Sequence, residues 1–151
     1  MESSYSIQPS ANLVRMQVWG ELTVGGLIDL IDRIGSDPYY RNGMHAIADL
    51  RQCFCNWDYS DIQRYRDHMV RIAGERYCRW AAVVKPGTLV AIGYVVIVIS
   101  EVVRSRIDMQ LFEDPQMALR WIQGEAEAEV GARARAAADR DTDPETETEA
   151  G

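Results

Sequence analysis

Cysteine, lysine and histidine are scarce in this chain, and it has no long hydrophobic run. Its 151 residues include three cysteines and two histidines, and Lys85 is its one lysine. Three cysteines are too few, and an odd number, for a disulfide framework, which agrees with a reducing compartment. The uncharged stretch from Pro86 to Ser100 is shorter than the ~20 residues of a membrane span. Residues 1–10 lack the basic and apolar regions of a secretory signal, so we expect a cytoplasmic protein with no membrane span.

The common catalytic signatures are missing too. The chain has no Gly-x-Ser-x-Gly elbow, no phosphate-binding loop and no dinucleotide fingerprint. Ser60 and His68 fall on one predicted helix about 12 Å apart along its axis, too far for the histidine to activate the serine. Cys53 and Cys55 supply only two of the four ligands of a structural zinc site. We therefore predict a protein that is not an enzyme and holds no metal or cofactor.

Acidic residues outnumber basic ones, and the excess lies at the C-terminal end. The chain has 16 basic and 23 acidic residues, a net charge of −7, which repels a phosphate backbone and argues against nucleic-acid binding. Residues 125–151 hold nine acidic and three basic side chains, with Val130 as their single branched apolar residue. Such a segment cannot bury enough surface to offset its ordering entropy. We expect one domain at 1–124 and an acidic, largely disordered tail at 125–151, either solubilising or docking on a partner.

Hydrophobic periodicity alternates between two and 3.6 residues along the body of the chain. Val14, Met16 and Val18 alternate with polar residues, and Ile7 precedes them across a turn-prone Pro-Ser-Ala-Asn stretch, which indicates a β-hairpin. The later predicted elements are a helix capped by Thr23, a strand at 44–50, a helix capped by Ser60 with Gln63 in a capping box, a strand at 80–84, a strand at 109–112 and a helix capped by Asp114. Because strands that alternate with helices need crossover connections, we predict an α/β sandwich with a mostly parallel sheet.

The segment 88–106 is the most apolar part of the chain. Nine valine or isoleucine residues between Val90 and Val103 favour a strand by propensity, but the length of the run favours a helix. A helix that is apolar around most of its circumference is buried in the core, against a second subunit or along an apolar ligand pocket. The candidate residues for a homodimer surface or a lipid-like ligand are Leu89, Ile92, Gly93, Val96, Ile99 and Val103. Met109 and Phe112 are possible neighbours of such a pocket.

Several short motifs, taken in their order along the chain, resemble those of a known family. They are Asn12-Leu13-Val14, Trp19-Gly20-Glu21, Asp37-Pro38, Asp49-Leu50-Arg51, the strand from Trp80 to Val84, and Phe112 with Ala118 and Trp121. Over residues 5–123 the chain resembles the bacterial STAS-like family, which is related in fold to anti-sigma-factor antagonists, sulphate-transporter domains and CRAL-TRIO lipid carriers. The resemblance implies a sheet of four or five strands with helices, and a non-enzymatic regulatory or ligand-sensing module.

The resemblance also selects a phosphorylation site. In antagonists of this kind a phosphorylatable serine begins the helix after the central strand, inside an Asp-Ser-Ser-Gly pattern. The matching stretch here is Asp58-Tyr59-Ser60-Asp61, which makes Ser60 the candidate and departs from the pattern at Tyr59 and Asp61. A helix N-terminus favours a phosphate, whereas the two neighbouring carboxylates oppose it. The alternative role of Ser60 is that of an ordinary N-cap.

A candidate partner-binding surface follows the central strand. Open α/β sheets usually bind ligands at the carboxyl ends of their strands, where the predicted surface comprises Asp49, Arg51, Trp57, Asp58 and Ser60. The indole would supply apolar area and the guanidinium a fork of donors. Alternatively, Asp49 and Arg51 only satisfy each other or the loop backbone. We therefore predict a regulatory module that contacts an unidentified protein partner, with a carrier or sensor of a small apolar or lipid-like ligand as the alternative.

Overall fold

The computed structural model describes residues 1–102 and 106–124, which form five strands and four helices. The elements in chain order are β1 (Glu2–Gln8), β2 (Leu13–Glu21), α1 (Val24–Gly35), β3 (His45–Phe54), α2 (Tyr59–Ile72), β4 (Cys78–Val83), α3 (Thr88–Val102), β5 (Ile107–Phe112) and α4 (Pro115–Ile122). The predicted tail at 125–151 lies outside the described residues.

The five strands form one sheet in sequence order. β1 runs antiparallel to β2, and the other neighbouring strands are parallel. Right-handed crossovers between adjacent parallel strands bring their helices to one face, and side chains of α1, α2 and α3 share one core cluster with the inner face of the sheet. α4 follows the last strand and packs on the opposite, outer face. The predicted α/β sandwich with an N-terminal hairpin is confirmed.

The hairpin between β1 and β2 closes through one 3₁₀ turn, Pro9–Ala11. Asn12 adopts the left-handed conformation with φ of 51°, and its backbone N–H donates to the Pro9 carbonyl oxygen at 3.1 Å. Asparagine tolerates this conformation better than most residues, which explains its position at the end of the turn. The edge strand β1 is then tied to the segment that follows α1, because the Tyr5 hydroxyl donates to the Asp37 carboxylate at 2.9 Å.

On the outer face a buried arginine fixes α4 to the sheet. Arg79 of β4 is 6% exposed, and its Nη1 donates to the backbone oxygen of Trp121 at 2.7 Å. The guanidinium also lies 5.2 Å from the centre of the Trp121 ring. Ala118 and Ile122 complete the buried side of this short helix, which Asp114 caps as predicted by accepting from the backbone N–H of Gln116.

The strand β3 is longer than predicted and contains a β-bulge. The prediction that the strand ends at Leu50 and continues as a loop is wrong, because pairing with β2 runs on through Phe54. Gln17 pairs with Asp49 and Trp19 with Gln52, so β3 carries one extra residue between these pairs. An extra residue reverses which side chains face inward. This is why Leu50 and Cys55, at positions of different parity, both belong to the inner core.

The start of α2 also differs from the prediction. The helix begins at Tyr59, and its N-cap is Asp58, whose side chain accepts from the Asp61 backbone N–H at 2.9 Å. The Asp61 carboxylate accepts from the Asp58 backbone N–H at 3.1 Å, which completes a capping box. Assigning the N-cap to Ser60 and the box to Gln63 is therefore wrong, and Ser60 is instead the second residue of the helix.

The apolar segment after β4 is the helix α3, as its length predicts. β4 and β5 are parallel neighbours, so the chain must return across the sheet between them, and a helix satisfies its own backbone hydrogen bonds along that path. Among the predicted surface residues, Val103 lies outside the described residues. Arg106 is described and lies beyond the end of the helix.

Candidate functional site

An apolar cavity of about 90 Å³ lies between the inner face of the sheet and the helices α1, α2 and α3. We call it the inner cavity. Its floor includes Ala48, Ala82 and Leu111, which are direct cross-strand neighbours on β3, β4 and β5. The side chains of α3 that border it are Leu89, Ile92, Val96 and Ile97, together with the backbone at Gly93. Almost every lining atom is therefore carbon, and the space favours an apolar occupant.

Small residues on the central strands leave this space open. Ala46 and Ala48 of β3 and Ala82 of β4 occupy inward positions, where buried parallel strands usually carry large aliphatic side chains. α3 nevertheless lies close to β5, because a Cβ placed on Gly93 would be 2.7 Å from Cδ1 of Leu111. α3 therefore lies closest to the sheet where Gly93 meets Leu111. Beside this contact, the small alanine side chains leave the space between the helix and the sheet unfilled.

Two aromatic residues close the cavity beside α2. The Trp57 indole N–H donates to the Leu22 backbone oxygen at 2.8 Å, and its ring centroid lies 5.5 Å from that of Tyr65. Burial raises the pKa of Tyr65 well above its ordinary value, so its hydroxyl stays protonated and uncharged. The hydrogen bond fixes the indole orientation, and the pair forms a rigid apolar wall.

The thiols near the cavity are protonated at neutral pH. Cys55 lines the cavity, and burial raises the pKa of its thiol. Burial also raises the pKa of Cys53 to about 11, and its Sγ lies 3.2 Å from the Val18 backbone oxygen, to which the thiol donates. Since the thiolate is the reactive and metal-binding form, both side chains act as small apolar groups here.

A second, larger space adjoins the first at the amino ends of the strands. This outer cleft has a volume of about 380 Å³ and is bordered by the last residues of α1 and α2, Gly35 and Ile72. Its polar lining comprises Asp32, Ser36, Tyr40 and Asn42. The inner cavity and the outer cleft share the four lining residues Met16, Ile31, Ala46 and Trp80, which therefore form the partition between them.

The structure divides the predicted partner-binding surface into two parts. Asp49 pairs with Val83, which belongs to the outer core cluster, so Asp49 lies on the face that carries α4. Arg51 binds it through Nε and Nη2 at 3.0 and 2.8 Å, and Arg51 holds the Asp49 pKa below its ordinary value. Trp57, by contrast, packs against the inner core. The hydrogen bonds between Asp49 and Arg51 match the alternative in which these two residues satisfy each other.

Asp58 and Ser60 lie at the start of α2, near Trp57 in sequence. The Asp58 side chain is occupied by the capping box. Ser60 is exposed to solvent in the first helical turn, so it is accessible to a modifying enzyme. Its phosphorylation stays a prediction.

The predicted apolar residues of α3 divide as well. Leu89, Ile92, Gly93 and Val96 border the inner cavity, whereas Ile99 packs against the core without lining it. Met109 lines the cavity as its predicted neighbour, but Phe112 contacts Trp121 on the outer face with ring centroids 5.6 Å apart. Four of the six predicted residues thus meet at one cavity, because a helical repeat of three to four residues returns them to one side.

Sequence reasoning missed the partition and the outer cleft. The sequence predicts a strand at Trp80 and indicates no further role for it. His68, on the predicted helix of Ser60, is 6% exposed. Its Nε2 lies 2.9 Å from Oδ1 of Asp32 on the neighbouring helix. Ala46 and Ala48 on β3, with Ala82 on β4, are small residues at strand positions that usually carry larger side chains, and this is a sequence signal that could have predicted a cavity.

Residues 1–102 and 106–124 contain neither a metal-binding cluster nor a helix that could span a membrane. No group of three or more histidine, cysteine or acidic residues in this part of the chain could hold a metal ion. No helix in the same ranges is long and apolar enough to cross a membrane.

Sheet order, the hairpin and the helical layers define a STAS-like α/β domain with an apolar cavity between its sheet and its inner helices. Among solved structures, the chain is similar to an uncharacterised protein of the DUF3478 family with a SpoIIAA-like fold from Shewanella loihica PV-4. The match has a TM-score of 0.52 and 16% sequence identity, and it covers 80% of this chain and 93% of that one. The chain therefore has a SpoIIAA-like fold. No family model matches it, and no match was found among curated proteins.

Proposed function

We propose that this protein is a non-enzymatic binding module whose ligand is a small apolar molecule held in the inner cavity. The observation that carries the proposal is the cavity itself, about 90 Å³ of space with an almost entirely apolar lining. Empty apolar cavities of this order, such as an engineered one of about 150 Å³, stay dry and take up benzene. Water has too few polar partners in such a site, so a hydrocarbon group is the favoured occupant.

The side chains around the cavity support a binding role over catalysis. The nearest nucleophile, the Cys55 thiol, has a raised pKa because it is buried, and it is therefore a weak nucleophile at neutral pH. The hydroxyl of Tyr65 likewise has a raised pKa and does not serve as a base near neutral pH. Neither group is prepared for proton or acyl transfer.

Benzene binding tests the proposal directly. We expect benzene to shift the NMR signals of the Ala48 and Ala82 methyl groups in a saturable manner. Ala82→Leu adds three carbon atoms to the floor of the cavity and is expected to abolish these shifts at Ala48. Ala91→Leu, the same substitution on the exposed side of α3, serves as the matched control and is expected to leave binding unchanged. Absence of saturable shifts, or equal binding by Ala82→Leu, would contradict the proposal.

A regulatory role through protein contacts is the second candidate, and the outer side of α3 favours it. Tyr94, Val95 and Val98 are 59%, 42% and 56% exposed and lie within about one helical turn of each other. Exposed apolar side chains grouped in this way are typical of interaction sites. The occupant would be a protein partner or a second copy of the chain.

Sedimentation and crosslinking with Val95→Glu test this second candidate. If the strip on α3 is an interface, we expect the unmodified protein to form a dimer or a complex that the introduced charge disrupts. The control is Asp29→Ala, which changes an exposed residue away from the exposed apolar residues of α3. Ile28→Glu would be unsuitable, because Ile28 packs against the core. A chain that stays monomeric and retains no partner from its own cells would contradict the interface.

Phosphorylation of Ser60 is a separate element of the regulatory proposal. Its support is the exposed side chain in the first turn of α2, where the helix dipole favours added negative charge. Incubation with native lysate and ATP is expected to add one phosphate that Ser60→Ala prevents. Mass spectrometry of both proteins checks this, and an unmodified Ser60 would remove the basis for such a switch.

A further inference from the structure

The inner cavity and the outer cleft share four lining residues. Met16 and Trp80 of the sheet face Ile31 of α1 across this partition, and Ala46 contributes little volume to it. Met16 is unbranched with three rotatable side-chain bonds, so it can move aside without backbone change. A rearrangement of the partition would join the two spaces into one channel between the sheet and the helical layer.

The volumes indicate a ligand longer than the inner cavity alone can hold. Pockets for drug-sized ligands occupy roughly 300–1,000 Å³, and the inner cavity, at about 90 Å³, is far smaller. The outer cleft reaches about 380 Å³ and adds apolar walls from Val14, Met44 and Ile72. An extended hydrocarbon chain fits the joined channel, with its far end in the inner cavity.

Two helix ends and one carboxylate supply negative groups at the mouth of the outer cleft. α1 and α2 both end there, at Gly35 and Ile72, and the C-terminal end of a helix carries partial negative charge. Among the described residues that line the cleft, Asp32 carries the one charged side chain. Its side chain is 56% exposed, so a ligand can reach it without burying an unpaired carboxylate.

Three basic side chains, His68, Arg71 and Arg33, lie near Asp32, and a cationic ligand would meet the part of its carboxylate that stays exposed. His68 approaches Oδ1 of Asp32 with Nε2 at 2.9 Å, and Nη2 of Arg71 lies 3.5 Å from the other ring nitrogen, Nδ1. Arg33, in the last turn of α1, is directed to the Ser3 hydroxyl at 3.1 Å.

We propose that the channel binds a single-chain amphiphile with a cationic amine head group, the ammonium at Asp32 and the hydrocarbon chain passing the partition into the inner cavity. This inference rests on the proposed function, because it assigns the far end of the chain to the inner cavity. It adds the length of the ligand, the chemistry of its head group and the direction in which it enters.

Titration with linear alkylamines tests the proposal at 0.15 M salt and below their micelle concentrations. Affinity is expected to rise about fourfold for each added CH₂ from butylamine to dodecylamine, the factor for burying one methylene group. Asp32→Asn is expected to weaken dodecylamine binding about tenfold, and Asp29→Asn, an exposed charge on the same helix, to leave it unchanged. Gly35→Leu narrows the cleft, because Gly35 lines it and an added Cβ there meets nothing within 4 Å. This variant is expected to weaken the binding of dodecylamine but not that of benzene.

The outcomes separate this inference from the proposed function. Benzene binding without any gain in affinity beyond butylamine would overturn the channel and leave the small-ligand proposal standing. Dodecanoate binding as tightly as dodecylamine, or equal losses in Asp32→Asn and Asp29→Asn, would overturn the head-group assignment. Failure of both benzene and dodecylamine to bind would overturn the inference together with the proposed function.

Discussion

The contact between Gly93 and Leu111 gives a prediction whose sign depends on the close packing of α3 on β5. Replacing Gly93 with alanine favours the helix by about 1 kcal/mol through helix propensity. The new Cβ, however, would lie 2.7 Å from Cδ1 and 3.3 Å from Cγ of Leu111, and overpacking of this kind costs about 1–3 kcal/mol. We therefore expect Gly93→Ala to lower the free energy of unfolding by about 0–2 kcal/mol.

A double-mutant cycle isolates the steric part of this effect. In a Leu111→Ala background the close contact disappears, so Gly93→Ala is expected to stabilise the protein by about 1 kcal/mol. The difference between the two backgrounds, about 1–3 kcal/mol, is the coupling energy of the pair. Urea unfolding of the wild type, the single variants and the double variant measures it.

Gly35→Ala is the matched control, because it is also a helical glycine and its added Cβ meets nothing within 4 Å. It is expected to be neutral or stabilising in both backgrounds. If Gly93→Ala stabilises the wild-type protein as much as it stabilises the Leu111→Ala variant, the reasoning is refuted. Leu111 would then have free room to move, and the close approach would not require a glycine.

Three further measurements test local features of the fold. Asp58→Ala is expected to lower stability by about 1 kcal/mol because it removes the N-cap of α2, whereas Ser60→Ala changes it by less than about 0.5 kcal/mol; equal effects in thermal unfolding would contradict this. Arg51→Ala is expected to move the NMR titration of Asp49 to higher pH, since Arg51 lowers the pKa of Asp49. The stabilisation by this pair is present at neutral pH and is lost as pH falls through the Asp49 pKa. Burial raises the pKa of Cys53 from 9.0 to about 11. The stabilising contribution of the protonated thiol is therefore expected to be complete below pH 9 and to be lost as pH rises toward 11. A free energy of unfolding that stays constant across this range would contradict the prediction.

The elements that were predicted correctly carry their signals within a few residues. Thr23 accepts from the Gly26 backbone N–H at 3.1 Å as an N-cap, and Asp114 caps α4 in the same manner. The hairpin follows from alternating apolar residues on both sides of a Pro-Ser-Ala-Asn turn. Each signal is a local preference of the backbone, and the surrounding structure agrees with it.

The start of α2 shows where local signals conflict. Asp58 and Ser60 can both cap a helix, and each has a suitable residue three positions later. The choice depends on where the chain arrives from β3, which extends to Phe54, and on Trp57, whose indole is fixed to the Leu22 backbone oxygen. The helix begins directly after Trp57, with Asp58 as its N-cap.

The sequence by itself determined the class of fold, because the alternation of strand and helix patterns with short connections permits little besides right-handed crossovers on one face of a parallel sheet. It also determined that α3 is apolar around most of its circumference. Only the tertiary structure decided which side of α3 faces a cavity, that Asp49 and Trp57 lie on opposite faces, and that two spaces meet at Trp80. The physical reason is that no single residue forms a cavity. A cavity arises where small side chains on separate strands come together beneath a helix, and the local sequence pattern does not show which of these side chains become neighbours.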